Sequence, residues 1–540
     1  MTDVTRMDID GIRPTVPDLL RARASALGSA CLLTCDDEVL TYEQAERESA
    51  ELARGLLAIG VGKGTHVGLL YPNGRDFVVA AFAAARIGAV ALPFSTMSTP
   101  HELQGMLRGA DVKVLLSAES YRSRDFVDIV RTAVPELDYG APPPVRSHTV
   151  PTLRRVFVAT DRDDVAPAWR MRSLWEAART VDEAALRAAE EVVRPADRLV
   201  IVHTSGSTSE PKAVIHQHGS LIRHMASFNA VRRYDSREIL FSNSPFFWIG
   251  GYAANLIATL VAGAHLVCSN SRDAGQTLDL LERVRPTLVN GFAQSVAHLA
   301  AHPSFPSRDL SSIRRGNLYP IMPPDVRPAD PQLRHNMLGM TEAGSVFLVD
   351  GDESDQPEHR RGSFGKPAPG FEVRVVDFET GRPCGVGELG ELQLRGPFLM
   401  EGYYGRERHE TFDPDGWFAT GDMVYFDEDG FFYFKGRRNA MIKTSGANVS
   451  PLEVEEAIRA LTGLTAHVVG VDDPERDQIV AAVVVAPEPA AVDVEELRRL
   501  LASRLSAYKV PRRIRVVTAD QVPMMTSGKV DLRALKQLLS

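Results

Sequence analysis

The chain has 540 residues, too many for a single hydrophobic core, so two or more domains are expected. A hydrophobic share of 44% and a charged share of 24% are typical of a globular enzyme, and a net charge of −9 argues against a surface for nucleic acid or anionic membrane. No apolar run approaches the roughly 20 residues of a membrane span. The polar, acidic N-terminus does not resemble a signal peptide. The four cysteines lack metal-ligand spacing and nothing implies disulfides, so we expect a cytoplasmic protein.

The first part of the chain alternates predicted helices and strands. Apolar residues recur at helical spacing in 52–59 and 77–87, and buried strands are predicted at 67–71 and 89–93. The pattern recurs around 108–117. This alternation predicts a wound α/β layer.

A loop rich in hydroxyl groups follows the next predicted strand, at 199–202. Five of the six residues 204–209 carry a hydroxyl and the sixth is Gly206, and Lys212 follows closely. Backbone N–H groups and hydroxyls of such a loop converge on an anion, and α/β sheets bind ligands at the ends of their strands. The Walker A spacing is absent. A serine-rich surface turn remains the alternative interpretation of the hydroxyls alone.

The later part of the large region has a different pattern. Segments 364–378 and 388–394 alternate apolar and polar residues with Gly and Pro between them, which predicts short antiparallel strands in a small barrel. The segment 385–390 fits a Gly-x-Gly-x-x-Gly dinucleotide motif. Because it leads into a strand and does not open a helix, no dinucleotide site is predicted there.

A domain boundary is predicted near 435–440. A strand at 429–434 ends there, and the chain restarts at Ser450, a helix cap followed by Pro451 and by Glu453, which would complete a capping box. A small α+β domain of about a hundred residues is therefore expected. Its further predicted elements are strands at 466–471 and 478–485 and a helix at 494–505.

Five motifs, in this order and spacing, resemble the adenylate-forming superfamily of acyl-CoA synthetases, aryl-CoA ligases, beetle luciferases and peptide-synthetase adenylation domains. They lie at 202–214, 338–344 (Leu-Gly-Met-Thr-Glu-Ala-Gly), 420–422 (Thr-Gly-Asp), 436–443 and 526–529 (Thr-Ser-Gly-Lys). The resemblance runs from Leu40 to the C-terminus. It implies a large domain, residues 1–436, of wound α/β subdomains plus a small β-barrel. A small mobile α+β lid domain, residues 437–540, would follow on a hinge near 437–440.

The resemblance also implies a nucleotide site. The hydroxyl loop and Lys212 would hold the β- and γ-phosphates, and Thr341 would bond the α-phosphate. Glu342 would coordinate Mg²⁺, a hard cation that prefers oxygen. Asp422 would accept hydrogen bonds from both ribose hydroxyls, with Arg437 supporting the sugar and phosphate. The remaining nucleotide-binding candidates are Thr204, Ser205, Gly206, Ser207 and Thr208 of the loop and Leu338, Gly339 and Met340 at the adenine, where Leu338 replaces a common aromatic residue.

Two further sets of residues are assigned by the same resemblance. Lys529 would be the catalytic lysine of the small domain, and Asn439 would occupy the hinge. Lys443, Gly446 and Asn448 would face the acyl-adenylate after the small domain rotates, with Gly446 letting the pantetheine thiol pass the backbone. The alternative interpretations are a solvated lysine and an ordinary glycine-containing loop.

The segment 245–252 resembles the acyl-pocket motif of the family. Trp248, Ile249 and Gly250 are its substrate-binding candidates, and Trp248 replaces a common histidine. An indole there would shorten the pocket or pack against a bulky apolar acid. The alternative for Trp248 is simple core packing.

These assignments imply an AMP-forming acid–CoA ligase that uses ATP, Mg²⁺ and coenzyme A on a fatty or bulky hydrophobic carboxylic acid. An acyl-AMP ligase that loads a carrier protein is the alternative enzyme, although no carrier domain follows in the eleven residues after Lys529. A nucleotide-binding protein of the same fold without turnover is the alternative outside enzymes. The oligomeric state, monomer or homodimer, is left open.

Overall fold

The computed structural model describes residues 9–204, 211–377, 380–438, 442–489, 492–524 and 530–539. Within these ranges the helices α1 to α14 are Val16–Leu27, Tyr42–Ala58, Arg75–Arg86, Pro100–Gly109, Phe126–Ala133, Met171–Ala177, Glu183–Glu191, His218–Val231, Ala258–Ala262, Ala274–Val284, Ala297–Ala300, Pro451–Thr462, Val494–Arg504 and Leu532–Leu538. The strands β1 to β27 of the same ranges are Cys31–Cys35, Glu38–Thr41, His66–Leu70, Val90–Pro93, Val114–Ala118, Ser120–Tyr121, Arg124–Asp125, Arg155–Ala159, Arg198–Thr204, Lys212–Gln217, Ile239–Phe241, His265–Cys268, Leu288–Val289, Arg315–Gly316, Leu338–Met340, Ser345–Val349, Lys366–Pro367, Glu372–Val376, Gly390–Arg395, Gly402–Tyr403, Phe418–Phe426, Phe432–Arg437, Ile442–Thr444, Ala447–Val449, Thr465–Asp473, Asp477–Val485 and Arg513–Val517.

Two mostly parallel sheets form the framework of the large domain. Their strand orders are β14-β13-β11-β12-β1-β2 and β20-β10-β9-β4-β3-β5-β8. Antiparallel strands are added at one edge of each, β2 in the first sheet and β10 with β20 in the second. The chain leaves the first sheet after β2, builds most of the second and returns at β11. The predicted wound α/β architecture is thus confirmed, as two sheets that are interleaved along the chain.

Helix α2 begins earlier than its apolar residues predicted. The expected helix covered 52–59, whereas α2 starts at Tyr42. A capping box starts it: the Gln44 N–H donates to Thr41 Oγ1 at 3.1 Å, and the Thr41 N–H donates to Gln44 Oε1 at 2.9 Å. The first turns carry several charged residues, which obscured the apolar pattern there, although Tyr42, Ala45 and Ser49 on their inner face are buried.

Two antiparallel sheets follow the parallel ones, with the orders β15-β16-β17 and β18-β19-β21-β22. They are joined where the Phe364 N–H donates to the carbonyl of Phe432 at 2.8 Å and the Phe432 N–H donates to the carbonyl of Gly365 at 2.9 Å. The predicted antiparallel strands are confirmed. The glycine-rich segment 385–390 leads into strand β19, as expected, and opens no helix.

The C-terminal part has its own sheet and its own hydrophobic cores. Strands β24-β23-β26-β25 are antiparallel neighbours, and β27 pairs in parallel with β26. Ser450 caps α12 by accepting from the Glu453 N–H at 3.4 Å. The predicted capping box is wrong in its second half, because the Glu453 carboxylate accepts from Lys509 Nζ at 2.7 Å instead. No helix in the described ranges is long and apolar enough to cross a membrane.

Candidate active site

A cavity of about 400 Å³ gathers residues from both domains. Its walls come from the ends of β4 and β9, the loop before α9, the turn after β15, and the β23–β24 hairpin with the segment after α13 in the small domain. The residues predicted for the site from the sequence that line this cavity are Thr204, Trp248, Ile249, Gly250, Gly339, Met340, Thr341, Glu342, Arg437 and Gly446.

Other predicted site residues lie behind or outside the cavity wall. Leu338 is buried in the main hydrophobic core, and its neighbour Met337 lines the cavity in its place. Lys212, Asp422 and Lys443 are not among the lining residues. Asp422 pairs with the lining residue Arg437, Lys212 lies on the Tyr403 ring, and Lys443 lies on the Phe434 ring. The backbone of Asn448 pairs with Lys443 in the β23–β24 hairpin. Ser205, Gly206, Ser207, Thr208, Asn439 and Lys529 lie outside the described residues.

The Thr341–Glu342 pair sits in a single turn of 3₁₀-helix directly after β15. The Thr341 carbonyl accepts from His216 Nε2 at 2.7 Å, which fixes the turn against β10. Glu342 is mostly buried, and its Oε1 accepts from the Tyr403 hydroxyl at 2.8 Å. One carboxylate oxygen is therefore oriented by the protein, which leaves the other for a ligand.

Lys212 lies on the same tyrosine. Its Nζ is 5.0 Å from the centre of the Tyr403 ring, a cation–π distance. Burial lowers the pKa of Lys212, while the nearby Glu342 carboxylate acts in the opposite direction. Burial and the same carboxylate raise the pKa of the Tyr403 hydroxyl. Lys212, Tyr403 and Glu342 thus form one electrostatic unit at the edge of the cavity.

Asp422 and Arg437 face each other across strands β21 and β22. Arg437 Nε lies 2.8 Å from Asp422 Oδ1, and the Asp422 side chain is 3% exposed. Burial raises the pKa of Asp422, and Arg437 opposes that shift. Arg437 reaches the cavity, and the carboxylate behind it sets its orientation.

The loop that carries Trp248 runs into a π-helix at Gly250–Ile257, a rare geometry that is frequent at functional sites. Asn73 supports the loop: its Nδ2 donates to the Ser244 carbonyl at 3.0 Å, and its Oδ1 accepts from the Phe246 N–H at 2.8 Å. At Gly251 a Cβ atom would lie 2.0 Å from the Pro245 carbonyl oxygen, so glycine is required there. Trp248 is only partly buried and faces the cavity.

The small domain contributes the turn of the β23–β24 hairpin. Gly446 has φ +82°, and a Cβ there would lie 2.9 Å from the Phe292 ring of the large domain. The positive φ favours glycine, and the Phe292 ring, itself about half exposed, leaves little room for a side chain. The close approach brings the hairpin to the cavity. Lys443 Nζ lies 4.8 Å from the centre of the Phe434 ring. Desolvation lowers the pKa of Lys443, and Asp422 counteracts it.

Sequence reasoning missed several residues of this site. Tyr403 orients Glu342 but lies in none of the five motifs. His203 lines the cavity beside Thr204, packs on Phe94 with ring centres 5.6 Å apart, and leaves its Nδ1 without a partner. Its position directly before the hydroxyl loop could have indicated that it belongs to the site. Glu102 of α4 and Lys509 of the small domain also line the cavity. The Thr99-x-x-Glu102 spacing marks the start of a helix, but no local pattern links Glu102 or Lys509 to the site.

The donor set suits a metal ion that arrives with a phosphate ligand. Among the described residues, no group of three or more His, Cys, Asp or Glu side chains could hold a metal by itself. Mg²⁺ is commonly bound through one or two carboxylates together with substrate phosphates. The oriented Glu342 carboxylate fits that role, with a phosphate chain supplying further oxygens.

Protein-family models match both domains of the chain. The model of the AMP-binding enzyme family matches residues 20–404, and the model of the AMP-binding enzyme C-terminal domain matches residues 453–529. The chain belongs to the AMP-binding enzyme family. The resemblance to the adenylate-forming superfamily is therefore confirmed, and so is the division into a large N-terminal and a small C-terminal domain.

Three proteins similar to this AMP-binding enzyme are named as acyl-CoA, feruloyl-CoA and o-succinylbenzoate CoA synthetases. It is 29% identical to the putative acyl-CoA synthetase YngI of Bacillus subtilis, covering 97% of each chain. It is 31% identical to a feruloyl-CoA synthase of Amycolatopsis sp, covering 91% of this chain and 92% of the relative. A solved variant of o-succinylbenzoate CoA synthetase from Bacillus subtilis, bound to a product analogue, has 23% identity and a TM-score of 0.75, covering 96% of this chain and 98% of that one. The expectation of an enzyme of acyl-CoA synthetase type is confirmed.

Proposed function

We propose that the enzyme joins a hydrophobic carboxylic acid to coenzyme A in two steps at this cavity. The acid first displaces pyrophosphate from ATP to give acyl-AMP, and the CoA thiol then displaces AMP to give the thioester. The supporting observation is that a single cavity is lined by the Trp248 loop, the Thr341–Glu342 turn and Gly446 of the small domain. An acyl group, a phosphate and a thiol can meet there.

In the first step, the chain supplies positive charge and fixed hydrogen-bond donors around an anionic acid and an anionic nucleotide. Lys212 and the hydroxyl loop would hold the phosphates that leave, and Arg437 and Asp422 would hold the sugar. Lys529, outside the described residues, would neutralise charge that develops between the carboxylate oxygen and the α-phosphorus. Mg²⁺ on Glu342 would supply further charge neutralisation on the phosphates.

In the second step, the small domain supplies the passage for the thiol. Gly446 and Ala447 line the same cavity as Thr341 and Glu342, so a pantetheine arm that passes the hairpin would reach an acyl group held there. A side chain at position 446 would have to displace the Phe292 ring and would narrow this passage.

The acid is a fatty or bulky hydrophobic one. The side chains in the acyl part of the cavity are aromatic and aliphatic, from Phe247, Trp248, Ile249 and Val346. Apolar walls of this kind bind ligands mainly through buried apolar surface. We place the reaction in the cytoplasm, because all four cysteines are free thiols, as in a reducing compartment.

Acid-dependent release of pyrophosphate and AMP tests this proposal. The full-length enzyme is incubated with ATP, Mg²⁺ and a panel of short, medium and long fatty acids, benzoates, cinnamates and bulky alicyclic acids, with and without CoA. We expect acyl-AMP without CoA, and AMP release with multiple turnovers when CoA is added. Turnover with an acyl carrier protein but not with CoA would favour the carrier-loading alternative, and absence of pyrophosphate with every acid would contradict the proposal.

A further inference from the structure

A buried polar cluster connects the small domain to helix α4 of the large domain. We call it the Glu102 cluster; it consists of Glu102, Glu453, Ser506 and Lys509. Lys509 Nζ donates to Glu102 Oε1 at 3.1 Å and to Glu453 Oε1 at 2.7 Å. The Ser506 N–H donates to Glu102 Oε1 at 3.0 Å, and the Ser506 hydroxyl donates to Glu102 Oε2 at 2.6 Å. Glu102 therefore receives three hydrogen bonds from the small domain.

The three ionisable groups of this cluster are buried, and burial raises the pKa of Glu453 above its ordinary value although Lys509 opposes that shift. The side chains of Lys509, Glu102 and Glu453 are 6%, 8% and 8% exposed. Burial acts against the ammonium charge of Lys509, yet Tyr508 and the two carboxylates hold its pKa above the ordinary value. Burial also acts against the charge of Glu102, yet Lys509 and Ser506 hold its pKa below the ordinary value. Neutralising Glu102 would leave Lys509 with Glu453 as its carboxylate partner in the cluster, which compensates the buried ammonium less well than two carboxylates do.

Each side of the Glu102 cluster has a bonding partner within its own domain, so the two domains can dock and separate at this contact. Glu453 belongs to the small domain, so Lys509 keeps a carboxylate partner wherever that domain goes. Glu102 belongs to the first turn of α4, where its Oε2 also accepts from the Thr99 N–H at 2.9 Å in a capping box. Glu102 keeps that bond when Lys509 leaves. Neither side is thus left without a hydrogen-bond partner after separation, although the docked arrangement has more bonds.

The same contact positions the hairpin that carries Gly446. Glu102, Ser506 and Lys509 line the same cavity as Gly446, Ala447, Thr341 and Glu342. A further bond, from Thr99 Oγ1 to the Arg504 carbonyl at 2.9 Å, lies beside the cluster. The domain arrangement held by Glu102 is therefore the one in which the passage for the thiol faces the acyl site.

We propose that Glu102 is a positioning residue for thioester formation, which acts by docking the small domain through Lys509 and Ser506. This inference rests on the proposed two-step function. The proposed role of Glu102 distinguishes the two steps. Acyl-AMP formation would use Lys529 in another arrangement of the small domain, and it does not need the Glu102 contact. Loss of the contact should slow attack by the thiol and leave the first step intact.

The test compares the two half-reactions in Glu102→Gln, an isosteric change that removes the charge and keeps an acceptor for Thr99. Acid-dependent pyrophosphate–ATP exchange reports the first step, and single-turnover conversion of pre-formed acyl-AMP with saturating CoA reports the second. We expect the second rate to fall about tenfold to a hundredfold, less than breaking a whole buried charge pair would cause because Lys509 keeps Glu453, while exchange changes less than about twofold. The control is Glu410→Gln, which makes the same substitution in another capping box, where Glu410 Oε2 accepts from the Glu407 N–H at 2.8 Å.

A milder variant guards against a simple folding defect. Ser506→Ala removes one hydroxyl donor to Glu102 and keeps every charge, so the ratio of the two rates should shift in the same direction by a smaller factor. Equal losses in both half-reactions, or an unchanged second rate in Glu102→Gln, would overturn the assignment of Glu102. Absence of pyrophosphate exchange in the unmodified enzyme would instead count against the proposed function itself.

Discussion

Trp248→Ala tests whether the indole is a wall of the acyl pocket or part of the core. The backbone around Trp248 is held independently of the ring, since its N–H donates to the Pro245 carbonyl at 3.0 Å and its carbonyl accepts from the Tyr252 N–H at 2.8 Å. The ring is partly exposed towards the cavity and contacts Phe247 edge-on, with ring centres 5.5 Å apart. Truncation should therefore open space without unfolding the loop.

The size of the effect follows from the apolar surface that a longer acid would bury. Each additional buried methylene is worth about 0.8 kcal/mol, so three of them supply about 2.4 kcal/mol, or about fiftyfold in kcat/KM. The variant should prefer acids that are longer or bulkier than the best substrate of the parent enzyme. The KM for ATP should stay nearly constant, because the substitution leaves the groups assigned to the nucleotide, such as Glu342 and Arg437, unchanged.

The acid panel and the melting temperature, measured together, distinguish the two roles. Trp169→Ala is the matched control, since Trp169 is 2% exposed and its Nε1 donates to the Ala141 carbonyl at 2.7 Å. That variant should lose about 3–5 kcal/mol of stability, the usual scale for truncating a core tryptophan, without reordering the acids. If Trp248→Ala behaves like this control, with lower stability and an unaltered ranking of acids, the pocket assignment is refuted.

Four other substitutions test the nucleotide half of the site. Glu342→Gln should raise the Mg²⁺ concentration needed for half-maximal activity, because a neutral amide is a weaker ligand for a hard dication; an unchanged metal titration would remove Glu342 from the site. Tyr403→Phe deletes the hydroxyl bonded to Glu342 and should produce a smaller shift of the same titration, at equal melting temperature. Lys529→Ala should slow pyrophosphate exchange about a hundredfold or more and affect pre-formed acyl-AMP much less, so equal losses would contradict the assigned role. Asp422→Asn should raise the KM for ATP at neutral pH. Burial raises the pKa of Asp422, so this carboxylate is protonated at a higher pH than an ordinary aspartate. In the parent enzyme the KM for ATP should therefore already rise at that higher pH on acidification. The variant should not show this rise.

Strands and helices of the large domain were predictable because burial on both faces leaves continuous apolar runs. Strand β3 and helix α3 are examples: each was predicted to within two residues at either end, and both are buried almost throughout. Helix α2 shows the limit of this kind of prediction. Its first turns carry many charged residues, so the apolar spacing alone did not reveal where the helix begins.

Local motifs also predicted parts of the site that lie within one turn or one strand pair. Thr341 and Glu342 are adjacent, and Asp422 and Arg437 are opposite each other in a hairpin, so short-range patterns contain both pairs. The bond from Tyr403 to Glu342 spans 61 residues and the pair of Lys509 with Glu102 spans 407. Neither periodicity nor motif spacing encodes contacts at such separations, and they became visible only in the folded chain.

Glu453 shows why a capping box predicted from local spacing does not form when a distant residue offers its carboxylate a stronger bond. Its position three residues after Ser450 favours a capping box, in which its carboxylate would accept one backbone N–H, a bond worth about 0.5–1.5 kcal/mol. Lys509, however, is buried, and a buried ammonium without enough counter-charge costs several times that amount. The carboxylate therefore bonds the lysine, while Ser450 still caps the helix through its own hydroxyl. The same comparison explains the Glu102 cluster. Lys509 is buried at a domain contact, and it is compensated by Glu453 of its own domain and by Glu102 of the large domain. Because Glu102 belongs to the other domain, its bond to Lys509 couples docking of the small domain to thioester formation.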